Sequence, residues 1–192
     1  MTLIEKISKT QDESSWQEFV RYYERYLYVV VRNMNIQHHD CEEIVQGVML
    51  KVWDKLKEFQ YHPSKGKFRY WLCAIARNAV IDFIRRQQSQ QRRKDGLRQQ
   101  EEISESGINT LPEVEEIAER EWQNYLANLA LDKIRKEFKD THVTCFLRFT
   151  EGIAVADIAK EVDLSENSVY VYKSRVQDSL IKEVKRLEQE IG

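Results

Sequence analysis

The stretch that decides the fold is residues 40–86, which contains two amphipathic segments of opposite charge. Residues 40–56 read DCEEIVQGVMLKVWDKL, and residues 67–86 read KFRYWLCAIARNAVIDFIRR. Pro63 and Gly66 lie between the two segments, and such residues commonly interrupt helices. Because apolar residues recur at three- and four-residue spacing in both segments, the sequence predicts two helices joined by a loop.

Each predicted helix combines an apolar stripe with a polar face. The apolar stripe of the first helix consists of Val45, Val48, Val52 and Leu56. Its polar face carries Asp40, Glu43 and Gln46 and is expected to contact solvent. The apolar stripe of the second helix consists of Phe68, Leu72, Ile75, Ala79 and Phe83. Its polar face consists of Asn78, Asp82 and Arg86, flanked by Arg77 and Arg85. An acidic and a basic surface this close together suggest one protein partner and one nucleic-acid partner.

These residues resemble a known family. The acidic run Asp-x-Glu-Glu-Ile-Val-Gln, the Lys-Val-Trp that ends the helix, and the later Phe-Arg-x-Trp-Leu-x-x-Ile-Ala-Arg-Asn resemble conserved region two of the sigma-70 family. The similarity is greatest to the extracytoplasmic-function (ECF) branch. Gly47 departs from the pattern, because family members usually carry an acidic residue there. A glycine inside a helix costs roughly 1 kcal/mol relative to alanine.

The resemblance implies two binding surfaces. The acidic helix is implied to dock on a basic coiled coil of the largest subunit of the RNA polymerase core. The core-binding residues are then Asp40, Glu43, Ile44, Gln46 and Met49. The loop from Phe59 to Lys67 is implied to capture a base flipped out of the minus-ten promoter element. The implied DNA-binding residues of the loop and the second helix are Tyr61, His62, Lys65, Lys67, Arg77, Asn78, Asp82, Arg85 and Arg86.

A second diagnostic unit lies near the C terminus. Residues 154–162, AVADIAKEV, predict a short helix, and Asp163 with Leu164 predicts a tight turn. Ser165 is the expected N-cap of a longer helix. Helix, short turn and capped helix form a helix-turn-helix, whose second helix enters the major groove of DNA. Asp163 replaces the usual turn glycine, which is tolerable because Asp adopts the left-handed conformation more readily than most residues.

The same segment resembles region four of the sigma-70 family, which implies that it reads the minus-thirty-five promoter element. The DNA-binding residues predicted here are Ser165, Asn167, Ser168, Tyr170, Lys173 and Arg175. Asn167 and Ser168 are expected nearest the base edges, and Lys173 and Arg175 nearer the phosphates. The residues predicted to pack inward are Val169, Val176 and Leu180.

The patterns along the chain predict an all-α protein made of two small helical domains joined by a flexible linker, with the helix-turn-helix in the C-terminal domain, and the composition agrees with helices throughout. The 192 residues include only six Gly and two Pro, which leaves little turn chemistry for a sheet. The predicted domains are residues 1–90 and 120–192, with residues 91–119 as the linker. No apolar period survives from Gln88 to about Leu111, which favours a flexible segment there. The formal net charge is -2, so a nucleic-acid surface must be a local patch.

The first long helix is predicted from a capping box, Ser15-Trp16-Gln17-Glu18, in front of an apolar face. The apolar face consists of Phe19, Val20, Tyr23, Leu27, Val30 and Val31. This helix is expected to complete a three- or four-helix N-terminal domain.

Several classes of protein and site are disfavoured. No stretch resembles a signal peptide or a membrane span, so membrane insertion is not expected. The expected location is the cytoplasm. Cys41, Cys73 and Cys145 form no Cys-x-x-Cys pair, so a disulfide is not expected. The adjacent residues from His38 to Cys41 cannot easily converge on one metal ion. The chain carries no phosphate loop and no nucleophile with a base at a recognisable spacing, so neither enzymatic activity nor a cofactor is expected.

Three functions remain after these exclusions. The favoured function is a sigma factor that binds RNA polymerase core and directs it to promoter DNA for melting and transcription initiation. The alternative is an autonomous helix-turn-helix transcriptional regulator, which has no use for the acidic helix beside a DNA-reading helix. A metal-dependent nucleic-acid enzyme is third. The sequence leaves open which promoters are read, which signal activates the protein, and whether a dedicated anti-sigma factor binds it.

Overall fold

The computed structural model describes residues 2–10, 12–56, 68–94 and 114–191. Within these ranges the chain forms helices and no strand, which confirms the all-α fold class. The helices are α1 Leu3–Thr10, α2 Glu13–Arg32, α3 His38–Leu56, α4 Phe68–Lys94, α5 Val114–Ile134, α6 Asp140–Thr150, α7 Val155–Glu161 and α8 Glu166–Ile191. A short 3-10 turn, Arg135–Glu137, follows α5. None of the described helices is long and apolar enough to span a bilayer.

The chain divides into two compact units. The first is Met1–Trp122 together with Ile191–Gly192, and the second is Gln123–Glu190. Helix α5 therefore begins in the first unit and ends in the second. The linker predicted for residues 91–119 overlaps α4 at its start and α5 at its end, and residues 95–113 lie outside the described residues. The sequence-based boundary at residue 120 falls inside a helix because the apolar period of α5 already begins at Val114.

Helix α2 is the central element of the first unit. Helices α1, α3 and α4 pack against it, and α3 also packs against α4. The buried residues of α2 are Ser15, Phe19, Tyr22, Tyr23, Tyr26, Leu27, Val30 and Val31. The predicted apolar face is thus confirmed except for Val20, which is half-buried. Because its apolar stripe is wide and rich in aromatic residues, α2 can pack against three neighbouring helices at once.

The start of α2 corrects the predicted capping box. The N-cap is Asp12, whose Oδ1 accepts a hydrogen bond from the backbone N–H of Ser15 at 2.8 Å. The other carboxylate oxygen accepts from the Ser15 hydroxyl, also at 2.8 Å, and Ser15 is fully buried. A carboxylate accepts both donors of Ser15 and complements the positive end of the helix. The capping role predicted for Ser15 is therefore wrong.

The two helices of the opening stretch have the predicted faces. In α3 the stripe of Val45, Val48, Val52 and Leu56 is buried. In α4 the stripe from Phe68 to Ala79 is buried, whereas Phe83 is half-buried. Both stripes face α2 and each other, so the polar faces of α3 and α4 are turned outward.

The first three turns of α5 belong to the core of the first unit. Trp122 is fully buried, with its ring stacked on Tyr23 at a centroid distance of 5.7 Å and edge-on to Tyr26 at 5.1 Å. Arg69 is 4% exposed and makes a bidentate pair with Glu119, with Nη2 and Oε2 2.7 Å apart. The Tyr70 hydroxyl donates to the same carboxylate at 2.8 Å. A charge this deeply buried requires its partner, so Glu119 and Arg69 fix the start of α5 on α4.

The second unit contains the predicted short helix, turn and long helix as α7 and α8. Val169 is fully buried with Cys145, Ile158 and Ala159, and Val176 packs with Ile134 and Phe146. Leu180 packs partly buried against this second group. The inward packing predicted for the three residues is thus confirmed.

The turn between α7 and α8 and the cap of α8 also follow the prediction. Asp163 has φ of 53°, in the left-handed region. Ser165 Oγ accepts a hydrogen bond from the backbone N–H of Ser168 at 3.2 Å, which confirms the N-cap. Arg148 of α6 bonds to Glu161 of α7 at 2.9 Å and to Glu151 at 3.0 Å, so the helices before the turn are also joined.

Candidate functional site

The acidic face of α3 forms an exposed ridge on the first unit. Glu43 and Gln46 are exposed, and the side chain of Asp40 keeps 16% of its surface accessible. Asp40 Oδ1 lies 3.2 Å from Nε2 of the exposed His39. Carboxylate and amide groups on one ridge provide hydrogen-bond acceptors for a basic partner.

Clefts border this ridge on both sides. One, of about 770 Å³, separates α3 from α4 and is lined by Glu43, Ile44, Gln46, Gly47, Leu50, Lys51, Ala79, Asp82, Arg85 and Arg86. The other, of about 400 Å³, separates α2 from α3 and is lined by Glu24, Arg25, Tyr28, Glu42, Val45 and Gln46. The ridge consequently projects between these two clefts.

Not every residue predicted on this ridge is accessible. Ile44 and Met49 are buried, at 5% and 7% exposure, and help to hold α3 in place. Leu50, which the sequence analysis did not select, is 68% exposed and lines the larger cleft. The signal for Leu50 was its position outside the stripe of Val48 and Val52, since an apolar residue outside the core stripe has no partner within the fold.

Gly47 lies in the middle of α3 and lines the larger cleft. A Cβ atom added at this position would meet no atom within 4 Å. Packing therefore does not require glycine here. The absence of a side chain widens the cleft beside Leu50 and Lys51.

The polar face of α4 carries the predicted DNA-binding residues of the first unit. Asn78, Asp82, Arg85 and Arg86 are exposed, and Arg77 is half-buried. Asp82 Oδ2 lies 3.7 Å from Lys51 Nζ, and Arg86 Nε donates to the backbone oxygen of Asp82 at 3.4 Å. The structure thus brings the α4 residues together on one surface. The loop residues Tyr61, His62, Lys65 and Lys67 lie outside the described residues.

The N-terminal half of α8 carries the predicted DNA-binding residues of the second unit. Asn167, Tyr170 and Arg175 are exposed, whereas Ser168 and Lys173 are half-buried. The hydroxyl groups of Ser165 and Ser168 are 2.8 Å apart, so both take part in the cap.

Contacts on both sides of α8 fix its rotation. On one side the His142 ring stacks on Tyr172 at a centroid distance of 3.9 Å. Burial, and then the positive charges of Arg175 and Lys139, lower the pKa of His142, so the ring is neutral at pH 7. On the other side Lys173 Nζ lies 4.5 Å from the centroid of the Phe149 ring, a cation–π contact.

Reactive or metal-binding groups are scarce in the described ranges. Those ranges contain no cluster of three or more His, Cys, Asp or Glu that could hold a metal ion. The cysteines are buried thiols, and Cys73 Sγ lies 3.3 Å from the Tyr26 hydroxyl. Burial raises the pKa of the Cys41 and Cys145 thiols, which lowers their reactivity.

Comparisons with known proteins identify the first unit. Residues 19–90 match the family model of sigma-70 region 2. This span contains both the α3 ridge and the polar face of α4. The match therefore covers the surfaces that the geometry selects.

Two curated relatives align with almost the whole chain, and a third aligns with part of it. The ECF RNA polymerase sigma factor SigX of Bacillus subtilis is 25% identical over 93% of this chain and 88% of its own length. SigW of the same organism, also an ECF RNA polymerase sigma factor, is 23% identical over 93% of this chain and 94% of its own length. SigE of Mycolicibacterium smegmatis is 29% identical over 38% of this chain and 26% of its own length.

A solved structure of CnrH in complex with the cytosolic domain of CnrY is 15% identical, covers 96% of both chains and has a TM-score of 0.35. Residues 19–90 thus resemble sigma-70 region 2, and the two relatives that align with most of the chain are both ECF sigma factors.

Proposed function

We propose that this protein is an ECF-type RNA polymerase sigma factor: a dissociable subunit that binds the polymerase core, directs it to promoters and helps to melt the DNA. It acts with the polymerase in the cytoplasm. The α3 ridge binds the core, the polar face of α4 and the preceding loop bind the minus-ten element, and α8 binds the minus-thirty-five element.

The observation that carries this proposal is the pairing of an exposed acidic ridge with a cationic face in one small unit. Glu43 and Gln46 on α3 border the same cleft as Arg85 and Arg86 on α4. DNA repels an acidic ridge, so the ridge suits a basic partner other than DNA. An autonomous regulator needs no such partner, which favours the sigma factor.

Gel filtration with RNA polymerase core separates these two functions. A sigma factor elutes together with the core even when no DNA is present. An autonomous regulator elutes at its own size whether or not the core is added. Elution at the position of the free chain in the presence of excess core would refute the proposal.

The loop before α4 is the proposed site of promoter melting. Deleting residues 61–64 should abolish open-complex formation, because a base flipped out of the duplex at a cost of a few kcal/mol then loses its pocket. Core binding should be unchanged, because the α3 ridge is intact. Permanganate footprinting of unpaired thymines measures the melting, and normal footprints from the shortened chain would contradict the role of the loop.

Arg175 is the proposed phosphate contact of α8. Arg175→Ala should weaken binding to all duplexes about equally and reduce the slope of log affinity against log salt by about one, since each lost phosphate contact releases about one counterion fewer. Lys182→Ala is the matched control, because Lys182 is an exposed cation two turns further along α8. Titration of labelled duplexes at several salt concentrations measures the slope. A loss confined to one sequence would instead assign Arg175 to a base edge.

A further inference from the structure

Two exposed apolar side chains lie side by side near the start of α8. Among the described residues the exposed large hydrophobics are Leu50, Tyr170, Val171 and Ile181. Tyr170 is 52% exposed and Val171 is 39% exposed. Contiguous exposed apolar surface, in contrast to scattered single residues, can mark a binding site.

These two residues form the centre of one helix face. Asn167, Tyr170, Val171 and Ser174 follow the spacing of a single helical face, and all four are exposed. None of the four carries a charge. The face that α8 presents is therefore apolar in its middle, with an amide at the N-terminal end and a hydroxyl at the other.

The fold prevents this face from turning inward. Val169 and Val176 are fully buried on the opposite side of α8. Tyr172 is held by its stack on His142, and Lys173 by its contact with Phe149, on the two flanks. Tyr170 and Val171 consequently have a fixed position, and each keeps much of its surface exposed within its own unit.

Duplex DNA offers a specific match for an apolar helix face. In the major groove the C5 methyl of thymine is the apolar group that base edges present, and apolar side chains contact it. Burying one methyl contributes enough free energy to change affinity about three- to five-fold. The flanking Arg175 supplies a cation for the phosphates on one side of this apolar centre.

We propose that Tyr170 and Val171 determine sequence specificity by packing against thymine methyl groups in the major groove, so that the second unit prefers duplexes with thymine opposite these side chains. The inference rests on the proposed function of α8 as a reader of duplex DNA. It adds the chemistry of the readout, which is apolar at the centre of the helix.

The test uses the complex of the full chain with RNA polymerase core. Duplexes are first selected by this complex from a randomised pool, and each thymine of the selected site is then replaced in turn by deoxyuridine. Deoxyuridine keeps the base pair and removes only the methyl group. Competition binding should show one or two positions at which the replacement weakens binding about three- to five-fold.

Side-chain variants connect each methyl effect to a residue. In Val171→Ala and Tyr170→Ala, duplexes with thymine and with deoxyuridine should bind about equally well at the position that each residue contacts. The other positions should keep their penalties for deoxyuridine. Ile181→Ala is the matched control, since Ile181 is a 45% exposed apolar residue on the same helix beyond the proposed contact. It should leave every penalty unchanged. Circular dichroism confirms that the variants are folded.

The outcomes separate this inference from the function on which it rests. A complex that selects a duplex sequence but binds thymine and deoxyuridine equally at every position would overturn the methyl readout and leave the proposed function standing. If neither Val171→Ala nor Tyr170→Ala lowers the penalty at any position, the methyl readout is also overturned. A complex that selects no sequence at all would overturn both.

Discussion

Replacing both Asp40 and Glu43 by alanine should weaken binding to RNA polymerase core by about 2–5 kcal/mol, or at least about 30-fold in affinity. The two carboxylates lie on the α3 ridge, which projects between its flanking clefts, and a basic partner that covers the ridge would lose both charge partners at once. The remaining cations of that partner would then be desolvated without compensation, which accounts for the size of the effect. Fluorescence titration of labelled chain with core measures the affinity.

The control for this double variant is Glu13→Ala with Glu116→Ala. Both residues are exposed, on α2 and α5, neither lines a cleft that borders the α3 ridge, and the change in net charge is the same. This control should bind the core as the unaltered chain does. Equal affinities of the Asp40/Glu43 variant and the unaltered chain would remove the α3 ridge from the core interface.

Trp122→Ala should lower the free energy of unfolding of the first unit by about 3–5 kcal/mol. The indole is fully buried between Tyr23 and Tyr26, with the Arg69 guanidinium carbon 5.6 Å from its ring centroid. Its removal leaves a cavity beside a buried cation whose ion pair with Glu119 holds the same helix. Trp16, Trp53 and Trp71 still report on the first unit, so tryptophan fluorescence follows its unfolding specifically.

Urea titration measures the loss. With a typical slope of about 1–3 kcal/mol per molar urea, the midpoint should fall by about 2 M. Asn124→Ala changes an exposed residue two positions along the same helix and should shift stability by no more than about 0.5 kcal/mol. An unchanged midpoint for Trp122→Ala would show that α5 does not contribute to the core of the first unit.

The local parts of the fold were predictable from the sequence because each rests on short-range chemistry. The stripe of α3 follows from the periodicity of Val45, Val48 and Val52. The turn at Asp163 and the cap at Ser165 follow from the conformational preferences of Asp and Ser. None of these features depends on residues far away in the chain.

The contacts that the sequence did not reveal either join residues far apart in the chain or depend on which of two neighbouring residues caps a helix. Trp122 stacks on Tyr23, which is distant along the chain, so helical spacing alone could not assign the first turns of α5 to the first unit. Arg69 lies in a run of cations and is nevertheless buried, because its partner Glu119 comes from another helix. At the start of α2, Asp12 and Ser15 are both favourable caps, and the carboxylate prevails because it accepts two hydrogen bonds from Ser15.

The candidate site likewise has features that the sequence predicted and features that depend on packing. The polar faces of α3 and α4 were predictable as patterns, and the structure shows that Glu43 and Arg85 border a common cleft. The burial of Ile44 and the exposure of Leu50 depend on how α3 is rotated against α2 and α4, which periodicity fixes only approximately. The sequence places Leu50 outside the apolar stripe, and the packed structure adds that its side chain is 68% exposed beside the larger cleft.

Run-off transcription by purified RNA polymerase core tests the central claim most directly. Genomic fragments bound by the tagged chain serve as templates, and core is assayed with and without the purified protein. The account predicts discrete transcripts from defined start sites only when the protein is present, and their loss with the Asp40/Glu43 variant. Identical transcript patterns with and without the protein, from templates that the protein binds, would contradict a sigma factor and leave an autonomous DNA-binding regulator.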